Sequence, residues 1–182
     1  MVRTRPSRPR TRLFVALEVE GLDAWRDELI AGRDDLRPVP LHVTLVFLGW
    51  QYEKDVERIA SLCSVVGSLA AARLTPLGVT PVPPRGWPRL FALDLEDEGG
   101  HTGAAQAALS EALAGARLYR PEKRPFWPHL TLARVKRERR ADALEAGSLP
   151  PPFGARRVTL YRSTLRPQGA VYDALAGWDL RA

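Results

Sequence analysis

Cysteine, methionine and histidine are all scarce in this 182-residue chain, which has one Cys, one Met and three His. With Cys63 alone, no intramolecular disulfide can form and no cysteine-rich zinc site can be built. Its neighbours Ile59, Leu62 and Val66 predict a buried small hydrophobe rather than a reactive thiol. No apolar run approaches the roughly 20 residues that cross a bilayer, so the chain reads as soluble, with no membrane partner. The opening MVRTRPSRPRTR lacks the apolar core of a secretory signal. Its prolines also oppose the amphipathic helix of a transit peptide, which leaves a cytoplasmic location as the default. There is no glycine-rich P-loop and no G-x-S-x-G elbow, which argues against a nucleoside triphosphatase or a serine hydrolase.

What is abundant is positive charge, a net +6 with a pI near 10.1. It has two addresses. Residues 1–12 hold five arginines and no acid, and without them 22 basic residues face 21 acidic ones. A second excess lies in 117–140, where nine Lys/Arg accompany two Glu. The first reads as a disordered basic tail over residues 1–11, dispensable for turnover of a small substrate. Residues 12–182 read as one bilobal domain. Only the second excess is expected to serve a folded site.

Along the chain, strands are expected near 13–19, 41–48, 73–80, 89–95, 130–135, 156–164 and 170–178. Helical spacing covers Leu22 to Asp34, Glu53 to Leu69, and an Ala-rich stretch capped by Thr102. Pro81 to Gly86 reads as a rigid loop, and 138–147 as a short helix at best.

The sharpest signal is a repeat. His42-Val43-Thr44-Leu45 and His129-Leu130-Thr131-Leu132 are the same motif 87 positions apart, using two of the three histidines. Chance placement would give well under one such tripeptide. Residues i and i+2 of a strand share a face, so each strand presents one imidazole and one hydroxyl together. Val43, Leu45, Leu130 and Leu132 anchor the opposite face. Two related lobes, each an antiparallel or mixed sheet with outer helices, follow from the recurrence.

Two imidazoles suit in-line phosphoryl displacement, which needs a base beside the attacking oxygen and an acid beside the leaving one. The threonine hydroxyls can donate to non-bridging oxygens and a nearby arginine can neutralise them. Arg134 follows His129 by five residues, and strict alternation turns it away unless the strand bulges or ends. Lys123 and Arg124, in the Pro-flanked loop before the motif, are alternatives. Neither motif strand carries Asp or Glu, so a metal reading is weak and no metal site is assigned.

These motifs resemble the two signature tetrapeptides of the two-histidine (2H) phosphoesterase superfamily. Arg12 to Leu17, Leu41 to Gly49, Pro125 to Val135 and Val158 to Ser163 are similar to strands of its RNA 2′,3′-cyclic phosphodiesterase branch, also called 2′-5′ RNA ligases. The resemblance implies an α+β bilobal fold, with two pseudo-symmetric lobes of mainly antiparallel sheet and outer helices around a central cleft. It implies hydrolysis of RNA 2′,3′-cyclic phosphate ends to 2′-phosphate without metal or ATP, with reversible 2′-5′ RNA ligation as a companion reaction; no cofactor is expected, and the chain reads as a monomer. RNA with such an end, tRNA fragments included, is the implied partner. His42 is then the proton donor and His129 the proton acceptor, with Thr44 and Thr131 holding phosphate. Arg134 and Phe14 are the substrate-binding residues the resemblance implies, and Arg124 from the loop and Trp127, whose ring can stack on a base, are further substrate-binding candidates. Trp127 stands where the branch often has a basic residue, and Pro38-Val39-Pro40 replaces an aromatic approach to the first motif. The alternatives are an RNA-end-binding module without turnover, or a 2H enzyme acting on a small cyclic phosphate such as ADP-ribose cyclic phosphate.

Overall fold

A computed structural model describes residues 8–167 and 169–182. Most of the expected basic tail therefore lies outside the described residues. The elements run β1 (Arg10–Glu18), α1 (Asp23–Leu29), β2 (Leu36–Pro38), β3 (His42–Tyr52), α2 (Val56–Cys63), β4 (Ala72–Val82), β5 (Leu90–Glu98), α3 (His101–Gly115), β6 (His129–Val135), β7 (Phe153–Ala155), β8 (Arg157–Arg166) and β9 (Gly169–Asp179).

All strand pairs are antiparallel, in the order β7-β4-β5-β6-β3-β1-β8-β9, with β2 added to the outer half of β6. Two half-sheets, β9-β8-β1-β3 and β6-β5-β4-β7, meet where Val43 pairs with Leu130. The unit β1-α1-β3 corresponds to β5-α3-β6, so the expected pseudo-symmetry is present. The lobes are not separate sheets, however. They are halves of one sheet, joined back to back at the motif strands.

Alternation places the apolar sets as expected. Leu13, Val15 and Leu17 of β1 bury on one face with Val43, Leu45, Leu130 and Leu132, against Ile59 and Cys63 of α2 and Leu109 and Leu113 of α3. Burial pushes the Cys63 thiol up to about 12, which makes it an inert core residue.

Several boundaries differ from the sequence reading. β1 begins at Arg10, where Arg10, Thr11 and Arg12 pair with Tyr52, Gln51 and Trp50, so Arg10 and Thr11 belong to the sheet rather than the tail. The first helix ends at Leu29, since Gly32 turns the chain at φ 73° and Arg33 grips Asp35 at 2.7 Å. That frees Leu36 to Pro38 to pair with β6 as an unforeseen strand. Pro81 lies within β4, beyond the stretch that β7 covers, so its missing N–H interrupts no ladder on that side. Asp97, not Thr102, caps α3, accepting the N–H groups of Thr102 and Gly103 at 2.9 and 2.8 Å. Residues 138–147 form no helix. Ala141 and Leu144 instead plug a satellite core with Leu36, Phe91 and Ala133, and Arg33 donates to the Asp142 and Ala143 carbonyls.

Candidate active site

The leucine that closes each motif is an extra residue in its strand. Opposite β1, Thr44 pairs with Ala16 and Val46 with Val15, leaving Leu45 unpaired. Opposite β5, Thr131 pairs with Ala92 and Ala133 with Phe91, leaving Leu132 unpaired. A bulge shifts the side-chain alternation by one residue. Past it, Phe47 and Arg134, each five residues after its histidine, return to the face that carries the imidazoles. The parity argument against Arg134 thus fails for a local reason.

His42, Thr44, Thr131 and Arg134 line one cavity of about 410 Å³. His129, Trp127 and Arg124 line an adjoining one of about 690 Å³, and Thr44 and Phe47 border both. The motif strands meet at their His ends, so the two imidazoles face a common cleft from opposite halves of the sheet.

Each imidazole is held in the same way. His42 Nδ1 lies 2.9 Å from the Pro40 carbonyl and His129 Nδ1 lies 2.8 Å from the Trp127 carbonyl. A carbonyl oxygen only accepts, so Nδ1 carries the hydrogen in both rings and Nε2 is left for chemistry. Pro40 and Pro128 sit beside these carbonyls and stiffen both approaches.

A carboxylate stands opposite each histidine, Glu18 on β1 facing His42 and Asp94 on β5 facing His129 in the strand register. Thr159 on β8 and Thr80 on β4 donate to Glu18 and Asp94 at 2.5 Å each. The halves then diverge. Trp127 donates its indole N–H to Asp94 at 3.1 Å and lays its ring on His129, with centroids 3.9 Å apart and planes 16° apart. Phe14 takes the corresponding place under His42 at 5.0 Å, itself enclosed by Tyr161 and Tyr172 at 5.1 and 4.9 Å.

Burial holds both imidazoles below their ordinary value near 6.5. For His42, the positive charges of a protonated His129 and of Arg134 push the same way, against the pull of the Pro40 carbonyl. For His129, the Trp127 carbonyl and the Asp94 carboxylate oppose burial. Both rings are therefore neutral around pH 7.

The remaining expected residues separate. Phe14 is only 3% exposed, so it is a packing surface for His42 and presents little area to a base. One face of the Trp127 ring is taken by His129. Arg124 is exposed at the cavity mouth and paired with Glu122 at 3.3 Å. Arg12, Arg37, Arg166 and Tyr172 also line the His42 cavity, and the sequence reading assigns none of them to the site. By sequence alone, Arg12 is only the first residue of the opening strand. Phe47 was legible in principle, since its spacing from His42 repeats that of Arg134 from His129. Among the described residues, no group of three or more His, Cys, Asp or Glu gathers as a metal site, and no helix is long and apolar enough to cross a membrane.

Two His-x-Thr strands fused across a pseudo-twofold, with both imidazoles turned into one cleft, define the two-histidine phosphoesterase class. Comparison with known proteins places the chain within it. Residues 13–166 match the model of the 2′-5′ RNA ligase superfamily, and the chain belongs to that family. It is 30% identical to an RNA 2′,3′-cyclic phosphodiesterase of Archaeoglobus fulgidus, over 90% of this chain and 97% of that protein. It is 35% identical to one from Thermus thermophilus, over 80% of this chain and 76% of that protein. The crystal structure of TT0787 of Thermus thermophilus superimposes with a TM-score of 0.76 at 30% identity, covering 93% of this chain and 98% of that one.

Proposed function

We infer that the protein hydrolyses the 2′,3′-cyclic phosphate at the end of an RNA chain, leaving a 2′-phosphate and a 3′-hydroxyl. The observation that carries this reading is the matched pair of imidazoles, each pinned through Nδ1 with Nε2 left for chemistry, His42 lining one cavity with Thr44, Thr131 and Arg134 and His129 lining the adjoining one with Thr44. The names of the relatives at 30 and 35% identity support the same activity.

In the reaction, His129 Nε2 takes a proton from water as the water oxygen bonds to phosphorus. The bond from phosphorus to O3′ breaks on the opposite side, and O3′ receives a proton from His42 Nε2. Thr44, Thr131 and Arg134 donate to the non-bridging oxygens, whose charge rises in the transition state. The distribution of charge supports this direction. The nucleoside carries the leaving oxygen, and the arginine-rich cavity that suits its phosphates is the one holding His42. Water then enters from the side of His129. The protein's own fixed charges lean the other way, with Arg134 favouring neutral His42 and Asp94 favouring charged His129. A bound phosphate anion reverses the local field at His42, so the bound complex decides the roles.

Every proton has a carrier among the chain's own groups, and the reading assigns no metal, cofactor or ATP. Reverse ligation is the same path with a ribose hydroxyl in place of water. Incubation with a short RNA ending in 2′,3′-cyclic phosphate, in excess EDTA, should give a 2′-phosphate. A 3′-phosphate, or no turnover, overturns the reading. Loss of activity in EDTA that zinc or magnesium restores overturns its metal-independent form.

A further inference from the structure

The His42 cavity holds more positive charge than one cyclic phosphate requires. Arg12, Arg37, Arg134 and Arg166 reach it from four different strands, β1, β2, β6 and β8, and no carboxylate is among its lining residues. None of these four guanidiniums forms an ion pair or hydrogen bond with an acid among the described residues, although Arg26, Arg33, Arg73, Arg124, Arg139, Arg157 and Arg162 all do. A cyclic phosphodiester carries a single negative charge, and Arg134 with the two threonines meets it. Three cations remain. Gathering like charges without counterions opposes folding, so the arrangement suits a second anion.

The geometry places that anion near the first. Arg37 pairs directly with Arg134 across β2 and β6, so their Cα atoms are about 5 Å apart. Arg37 also packs on the β8–β9 hairpin. A Cβ on Gly169 would sit 3.6 Å from its guanidinium, and the φ of 135° there favours glycine. Arg12 lies with its guanidinium carbon 4.7 Å from the Phe47 ring centroid, which leaves the N–H edge free for an oxyanion. The volume, about 410 Å³, falls within the range of small-ligand pockets.

We propose that Arg12, Arg37 and Arg166 form a second phosphate subsite, which binds the internucleotide phosphodiester on the 5′ oxygen of the reacting nucleotide. This rests on the cyclic phosphodiesterase reading and adds that the enzyme selects a strand end over a free nucleoside cyclic phosphate. The RNA backbone leaves the cleft over the β8–β9 hairpin, on the His42 side.

The test compares three substrates: a nucleoside 2′,3′-cyclic phosphate, the same compound with a 5′-phosphate, and the dinucleotide with a cyclic end. The 5′-phosphate and the dinucleotide should each raise kcat/KM about tenfold or more over the nucleoside. In Arg37→Gln and in Arg166→Gln, that ratio should fall towards one. Turnover of the nucleoside cyclic phosphate by each variant shows that it is folded. A ratio near one in the wild type, a gain with the dinucleotide alone, or a ratio unchanged in both variants would overturn the subsite. No turnover of any of the three substrates by the wild type would instead overturn the underlying activity.

Discussion

Thr131 and Arg134 stand on the same wall of the cleft although three positions separate them, because Leu132 is an extra residue in β6. Without that bulge the guanidinium would face the satellite core around Phe91 and Leu36. A motif that reads as four residues is thus a five-residue reach, His-x-Thr followed by a bulge that turns a cation back towards phosphate.

Arg134→Gln should lower kcat/KM by about 10²–10³-fold, the usual cost of removing a donor that stabilises transition-state charge. Arg134→Lys should recover part of this, since a point charge replaces a planar fork. Steady-state kinetics on an RNA cyclic end measures both. An Arg134→Gln enzyme within threefold of wild type would place phosphate stabilisation elsewhere.

The two histidines can be told apart by the leaving group. His42→Ala and His129→Ala should each lose about 10²–10⁴-fold on a cyclic phosphate. On a nucleotide 4-nitrophenyl diester, whose departing phenolate needs no proton, His42→Ala should recover much of its deficit while His129→Ala stays slow. The reverse pattern would exchange their roles.

Both imidazoles titrate below about 6.5, and each consequence has a definite sign. The bell-shaped profile of kcat/KM should have both limbs below that value, because it reports the free enzyme. Trp127→Ala strips the cover from His129 and lets its pKa rise. The limb of the profile set by His129 should then move to higher pH. Stability follows the same shifts. The unfolded chain binds these protons more readily than the folded one, so the contribution is complete above about pH 6.5 and is lost as pH falls through the folded values. Thermal midpoints measured between pH 7.5 and 5 should fall, and His42→Gln with His129→Gln should flatten the slope.

The five arginines of the first twelve residues divide into two groups. Removing residues 1–7 should leave turnover of a nucleoside cyclic phosphate intact. Removing residues 1–12 strips three paired positions from β1 and one cation from the cleft, so both the thermal midpoint and kcat/KM should fall. Equal behaviour of the two truncations would deny Arg12 its place.

Most strands, the helix faces and the paired motifs were legible because they depend on local spacing. A period of two put Leu13, Val15 and Leu17 inside, and a period near 3.6 did so for Ile59 and Cys63. The missed features depend on partners distant in sequence. β2 exists only because β6 offers an open edge past the bulge, and residues 138–147 gave up helix because Arg33 satisfies their carbonyls. Arg10 and Thr11 read as tail because nothing near them in sequence shows that Tyr52 and Gln51 lie alongside.

The repeated His-x-Thr-Leu determined by itself that two imidazoles and two hydroxyls are presented from rigid strands, since alternation within a strand is fixed by the backbone. Only the tertiary structure decided what surrounds them. It placed Trp127 on one ring and Phe14 under the other, and it drew Arg12, Arg37 and Arg166 to the His42 side. Those placements come from strand pairing and from two one-residue bulges. At the cleft the charge is four cations from four strands, Arg12 from the opening stretch, Arg134 from the second excess, and Arg37 and Arg166 from neither. The register between strands is set by the packing of the whole sheet and not by any segment alone.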